Sequence, residues 1–196
     1  FEACLKQIWT GEVEDDSLNR LIILAGLNCR DIAIVRSYVR YLRQTSLPFS
    51  LTYIEQAVTD YPVIAKLLIS LFYAHFDPKQ GRKGTALVPG ILAAIEQNLQ
   101  LVKALDQDRI LRGLTGLIES SLRTNFFQNK PWISIKFDSS LAPELPEPRP
   151  YREIFVYSPR VEGVHLRGDK IARGGLRWSD RNEDFRTEVL GLMKAQ

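Results

Sequence analysis

The sequence predicts an α+β protein: a mainly helical N-terminal part followed by a small mixed β-sheet with flanking helices. Two observations carry this prediction. Apolar residues recur every three or four positions over roughly the first 125 residues, which is the period of an amphipathic helix. Near Lys130 the period changes to two, which is typical of half-buried strands. A break at 77–84, rich in proline, glycine and basic residues, predicts a boundary between a helical domain at 1–80 and a second domain at 81–196.

Helix signals follow one another through residues 1–80. Asp31 is placed to cap a helix whose opposite face is basic. The apolar stripe of this helix consists of Ile32, Val35, Val39 and Leu42. Ser50 begins a shorter helix, and Asp60 is placed to cap the next, with Pro62 in a first turn that tolerates proline. From Val63 to Phe76 nearly every position is apolar, so this helix should be central in its bundle or pack against another part.

Residues 81–196 begin with two helices and continue with strands. The apolar stripes of the helices run from Ile91 to Leu105 and from Ile110 to Leu122. Three strands are predicted, at Ile133–Phe137, Glu153–Tyr157 and Val161–Leu166. Four prolines between Leu141 and Pro150 predict an extended connector without regular structure.

A last helix is predicted from Asn182, where Glu183 and Asp184 suit the positive end of a helix dipole. Its expected inward stripe consists of Phe185, Val189, Leu192 and Met193.

Composition favours a soluble cytoplasmic protein. The net charge of +3 gives no case for nucleic acid, and no apolar run approaches the ~18 residues of a membrane span. No signal-peptide pattern opens the chain. Cys4 and Cys29 have no metal spacing, and thiols are favoured over a disulfide between them. His75 and His165 have no partner at a ligand or catalytic spacing, so both are expected to be structural, and no metal site is predicted.

The segment Ala172–Gln196 contains the candidate site. It joins a glycine pair, several arginines and an amphipathic helix. Paired glycines let a main chain approach a ligand, and a neighbouring arginine can clamp a carboxylate, although the residues alone favour a plain turn. The arginines around Trp178 alternate with Asp180, Glu183 and Asp184, which favours internal ion pairs over a nucleic-acid surface.

The sequence ARGGLRWSDR at Ala172–Arg181 resembles the substrate-binding segment of glutamate dehydrogenases. Its residues are similar to those of the large, NAD-specific bacterial branch. The resemblance implies amino-acid catabolism, with L-glutamate oxidised to 2-oxoglutarate and ammonia and a hydride passed to NAD. It also implies a homo-oligomer. The resemblance is specific over Trp132–Gln196 and weaker over the helical part.

The resemblance implies the substrate-binding residues. The familiar smaller enzymes carry Lys-Gly-Gly, which contacts the α-carboxylate of glutamate, at the place of Arg173, Gly174 and Gly175. Arg173 keeps the positive charge of that lysine but changes its reach. Arg173 either binds the carboxylate or supports the loop while another residue, Arg177 or Lys194, binds it. Lys194 is the candidate for the distal part of the substrate, although the family's helix lysine has a closer match beyond the chain. A solvated helix lysine is therefore the favoured interpretation of Lys194.

The chain begins at Phe1 and runs to Gln196 within a helical pattern, so we expect an internal piece of a larger enzyme. The catalytic residues and the NAD domain are expected downstream, in the remainder of the same polypeptide, and the piece alone is predicted to be inactive. The alternative is a non-catalytic helical interaction or assembly module that docks through the apolar helix Val63–Phe76.

Overall fold

A computed structural model describes residues 2–178 and 185–195 of the chain. In this part of the chain, helices precede a sheet, which confirms the α+β prediction. The helices are α1 Glu2–Trp9, α2 Leu21–Leu24, α3 Cys29–Arg43, α4 Leu51–Asp60, α5 Pro62–Phe76, α6 Gly81–Leu99, α7 Leu105–Glu119 and α8 Phe185–Lys194. Two short 3₁₀ turns lie at Ser17–Arg20 and Phe126–Gln128.

The strands within residues 2–178 and 185–195 form one five-stranded sheet in the order β1-β2-β3-β4-β5, with every pair antiparallel. They are β1 Ser121–Thr124, β2 Ile133–Asp138, β3 Arg152–Tyr157, β4 Glu162–Arg167 and β5 Ala172–Arg177. The mixed sheet expected from the sequence is therefore wrong in this detail. Each strand pairs with its neighbour in sequence, and none of the intervening connections supplies the crossover helix that a parallel pair needs.

Helix α5 is the centre of the helical part, as predicted from its apolar sequence. Ile64, Leu68, Leu71 and Phe72 are buried, and α5 packs against α3, α4, α6 and α7. The docking surface postulated at Val63–Phe76 is therefore mostly covered within the chain itself. The core is continuous from these helices to the inner face of the sheet, where Phe137 and Phe155 are fully buried.

Some of the predicted helix starts and helix caps are confirmed, and others are wrong. Ser50 caps α4 and Pro62 opens α5, as predicted. Asn28, and not Asp31, caps α3, because the Asn28 side chain accepts hydrogen bonds from the amides of Arg30 and Asp31, the second and third residues of the helix. Tyr61 precedes α5 without a side-chain cap, so the role predicted for Asp60 is wrong.

The sequence did not predict two of the five strands. Leu122, assigned to a helical stripe, lies in β1, and the glycine pair lies in β5. Leu192 belongs to the inward stripe predicted for α8, but it is exposed. Arg186, which is not part of that stripe, is buried. The predicted start of this helix at Asn182 lies outside the described residues.

Cys4 and Cys29 form a disulfide, with Cα atoms 5.6 Å apart, so the prediction of free thiols is wrong. The bond joins α1 to the first residue of α3. Their separation of 25 residues has no local signature in the sequence, so the pairing depends on the fold.

Among the described helices, none is by itself long and apolar enough to cross a bilayer. Helices α4 and α5 together reach that length and composition, but the chain bends by 95° between them.

Candidate functional site

The glycine pair lies on strand β5, at the end of the sheet order, and not in a turn. Residues opposite each other in antiparallel strands share a face. Arg173 lies opposite the buried Leu166, and Gly175 lies opposite Val164. These two residues therefore lie on the inner face of the sheet, on which α8 packs. Gly174 lies opposite His165, on the outer face.

The two glycines have different surroundings. A Cβ atom on Gly174 would lie 2.7 Å from the carbonyl oxygen of Val164 and 3.1 Å from the Cα of His165. Both are backbone atoms, so β4 and β5 approach closely here because Gly174 has no side chain. A Cβ on Gly175 would meet only the Phe185 ring of α8, at 3.7 Å, which is ordinary packing distance.

Arg173 is half-buried on the inner face of β5. One terminal nitrogen donates to the carbonyl oxygen of Ala172 at 3.2 Å. Within residues 2–178 and 185–195, no carboxylate pairs with Arg173. The guanidinium can therefore accept an anionic ligand without first breaking an internal ion pair in this part of the chain.

Arg177 has partners inside the fold. Its guanidinium forms an ion pair with Glu188 of α8 and lies over the Phe185 ring, 4.7 Å from the ring centroid. A carboxylate ligand would have to compete with Glu188 for this group. The geometry thus favours Arg177 as the residue that fastens β5 to α8, with Arg173 as the available cation.

Lys194 lies at the far end of α8 and is exposed. Its ammonium group is 3.4 Å from the carbonyl oxygen of Glu147. Phe185 packs at Gly175 while Met193 packs at Gly168, so α8 runs back along β5. Lys194 and the start of β5 therefore lie toward the same end of the sheet.

Arg177 and Arg186 form internal ion pairs with Glu188 and Glu153. The carboxylates on which the prediction rested, Asp180, Glu183 and Asp184, lie outside the described residues. Ser179 and Arg181, which belong to the same predicted cluster, lie outside them as well.

Arg186 forms the most deeply buried ion pair among the described residues. The Arg186 and Glu153 side chains are both 0% exposed, and Nε of Arg186 donates to Oε2 of Glu153 at 2.7 Å. The second nitrogen, Nη2, donates to the other oxygen, Oε1, so the pair is bidentate. The Tyr41 hydroxyl also donates to Glu153, at 2.7 Å. Burial and the Glu153 charge raise the pKa of Tyr41 well above its ordinary value, so the hydroxyl remains a donor.

Sequence reasoning missed Glu153, Tyr41 and Gln44. The sequence does contain a sign of the role of Glu153. In the alternating pattern of β3, Glu153 falls on the same inward face as Phe155 and Tyr157. A charged residue in an inward phase indicates a buried partner, because an unpaired buried charge is costly.

A second charged cluster surrounds the start of β4. Burial raises the pKa of Glu162 to about 7, partly offset by Arg40, whose Nε lies 3.9 Å away. Arg40 also pairs with Glu14 at 2.6 Å, and Arg36 pairs with Asp16 at 2.5 Å. These contacts fasten the N-terminal loop to the helices and the sheet.

The chemistry that this arrangement supports is recognition of an anion. It offers the half-buried guanidinium of Arg173 and the backbone of β5 at the end of the sheet order. Lys194 lies toward the same end of the sheet as Arg173. No group of three metal-ligating side chains occurs within the described ranges. The described strands form an antiparallel meander, which does not fit the parallel strand–turn–helix unit that holds a dinucleotide.

Two family models match the chain in adjacent regions. The model described as "Bacterial NAD-glutamate dehydrogenase, catalytic domain" matches residues 94–196. The model described as "Glutamate dehydrogenase, helical motif 3" matches residues 13–78.

Curated relatives match nearly the whole chain. A protein named NAD-specific glutamate dehydrogenase from Pseudomonas aeruginosa is 51% identical over 96% of the chain. Proteins of the same name from Halomonas elongata and Mycobacterium tuberculosis are 47% and 44% identical over 100% of the chain. The chain spans 12–13% of the length of these three relatives.

Proposed function

Because the chain belongs to the bacterial NAD-glutamate dehydrogenase family, we propose that it provides part of the glutamate-binding side of such an enzyme. The reaction is the oxidative deamination of L-glutamate to 2-oxoglutarate and ammonia, with NAD as hydride acceptor. We further propose that the enzyme is a homo-oligomer. Exposed apolar side chains such as Trp9 and Trp178 would suit contacts with other chains or with the rest of the protein.

The observation that carries the proposal is the placement of Arg173. It lies within the matched catalytic domain, on the face of β5 that α8 covers, and no described carboxylate neutralises it. A guanidinium matches the geometry of a carboxylate through two parallel hydrogen bonds. The α-carboxylate of glutamate, removed from water in a cleft, needs such a partner because an unpaired buried charge is costly.

Lys194 is proposed for the distal carboxylate of glutamate. Its position toward the same end of the sheet as Arg173 supports this role, since one extended dicarboxylate has a charged group at each end. Arg177 is proposed as a supporting residue, because Glu188 and the Phe185 ring already occupy its guanidinium.

NAD supplies the hydride acceptor when it is bound. Since the described residues do not fit a dinucleotide, no step of hydride transfer is assigned to them. Their proposed contribution is to bind glutamate and to orient it.

The test is Arg173→Ala in the longer enzyme. Loss of a charged hydrogen-bond partner costs about 1.5–3 kcal/mol, so the KM for glutamate should rise roughly ten- to a hundredfold. The KM for NAD should stay unchanged. Arg112→Ala is the matched control, because Arg112 is an exposed arginine paired with Glu96 and Asp108 on the helices. Near-normal glutamate kinetics in Arg173→Ala would show that the carboxylate is bound elsewhere.

A further inference from the structure

Helix α8 is fastened to the rest of the molecule by buried polar contacts that reach α3. Arg186, in its first turn, forms the bidentate ion pair with Glu153 of β3. The backbone N–H of Arg186 donates to Oε1 of Gln44 at 3.1 Å. Gln44 directly follows α3, and Tyr41 of the same helix donates its hydroxyl to Glu153.

These contacts meet needs that α8 cannot meet by itself. The first four amides of a helix have no partner within the helix. Gln44 satisfies one of them from 142 residues away along the chain. Additional hydrogen bonds to a buried ion pair help to offset the cost of removing its charges from water. In the described residues, Nη1 of Arg186 has no hydrogen-bond partner. Tyr41 supplies a third hydrogen bond to Glu153, beside the two that come from Arg186.

The position of α8 sets the surroundings of the candidate glutamate site. Phe185, next to Arg186, packs at Gly175 and under the Arg177 guanidinium. Glu188, one turn further, pairs with Arg177. A shift of α8 would therefore move Phe185 and Glu188, which contact β5 on the face where Arg173 lies.

We propose that Tyr41 and Gln44 are positioning residues for glutamate binding, acting through Glu153 and Arg186 on α8. This inference rests on the proposed function. It also assigns a role to the helical part: Tyr41 and Gln44 lie in the region that matches helical motif 3, whereas Glu153 and Arg186 lie in the region that matches the catalytic domain. Helical motif 3 thus holds the substrate segment of the catalytic domain in place.

The experiment uses Tyr41→Phe in the longer enzyme, because this change removes one hydroxyl and keeps the ring. The ring stacks on Phe137 with centroids 4.2 Å apart, so packing should be retained. Coupling through a positioning residue is expected to raise the KM for glutamate about two- to thirtyfold, with the KM for NAD unchanged. Amide hydrogen exchange in α8 should become faster in the same variant. Gln44→Met keeps the length of the side chain and removes two hydrogen bonds, the one that Oε1 accepts from Arg186 and the one that Nε2 donates to Glu162. It should act in the same direction as Tyr41→Phe.

Tyr73→Phe is the matched control. The Tyr73 hydroxyl donates to Asp31 at 3.0 Å in the same helical part, and no contact joins it to α8 in the described residues. This control should lower the melting temperature without changing the KM for glutamate or the exchange in α8.

Two outcomes separate the claims. If Arg173→Ala raises the KM for glutamate but Tyr41→Phe and Gln44→Met do not, the positioning role is wrong and the proposed function stands. If none of the three variants changes the KM for glutamate, the proposed function fails, and the positioning role fails with it.

Discussion

The adjacent glycines of β5 should respond in opposite ways to the same substitution. Gly174→Ala places a methyl group 2.7 Å from a backbone oxygen of β4, where no side chain can move away. Gly175→Ala places it 3.7 Å from the edge of the Phe185 ring, at ordinary packing distance. Neither glycine has a positive φ, so the backbone conformation itself tolerates alanine at both positions.

The magnitudes follow from these distances. Overpacking that forces backbone shifts costs about 1–3 kcal/mol, and the lower entropy of the unfolded chain returns about 0.4–1 kcal/mol for glycine to alanine. Gly174→Ala should therefore lower the free energy of unfolding by roughly 1–2 kcal/mol. Gly175→Ala should be neutral or should raise it by about 0.4–1 kcal/mol.

Urea unfolding of the purified chain, followed by circular dichroism, measures the free energy of unfolding of each variant. Thermal unfolding with the same signal measures the melting temperature. A loss of ~1 kcal/mol should lower the melting temperature of a chain of this size by about 2–4 °C. Equal stabilities of the two variants would refute the close approach of β4 and β5 at Gly174. A more stable Gly174→Ala variant would refute it as well.

Two further predictions concern stability. Gly84→Ala should destabilise the chain, because its Cβ would lie 2.5 Å from the Ala74 carbonyl oxygen of α5. Gly90→Ala, in open space on the same helix, should stabilise it by up to ~1 kcal/mol in the same unfolding assay; equal shifts would refute the close crossing. Burial raises the pKa of Glu162 from an ordinary 4.5 to about 7, so the folded chain binds more protons between these values and becomes less stable as the pH rises through this window. Glu162→Gln should weaken this pH dependence and be more stable than the unchanged chain at pH 8, by on the order of 2–3 kcal/mol; an unchanged slope of unfolding free energy against pH would contradict the assignment.

The sequence predicted the elements whose periodicity is strong. The apolar run of α5 and the alternation of β2 and β3 result from burial on one or several sides, and burial leaves a local pattern in the sequence. Strand β5 has no such pattern. It lies at the end of the sheet order, half of its residues face outward, and two of its positions are glycines.

The sequence identified the residue types of the candidate site, but it did not predict which of these residues contact one another. Arg173 and Arg177 are both arginines near the glycine pair, and only the folded chain shows that Arg177 pairs with Glu188. The contacts of Arg186 with Glu153 and Gln44 join residues 33 and 142 positions apart. Pairings at such distances depend on the fold, since no local spacing specifies them.

The most direct test of the central claim is a structure of the longer enzyme with L-glutamate bound. We expect the α-carboxylate of glutamate on the face of β5 that α8 covers, within about 3 Å of the Arg173 guanidinium. We also expect Gln44 and Glu153 to remain bonded to Arg186 in that complex. Glutamate bound away from β5, with Arg173 in no contact with it, would contradict the account.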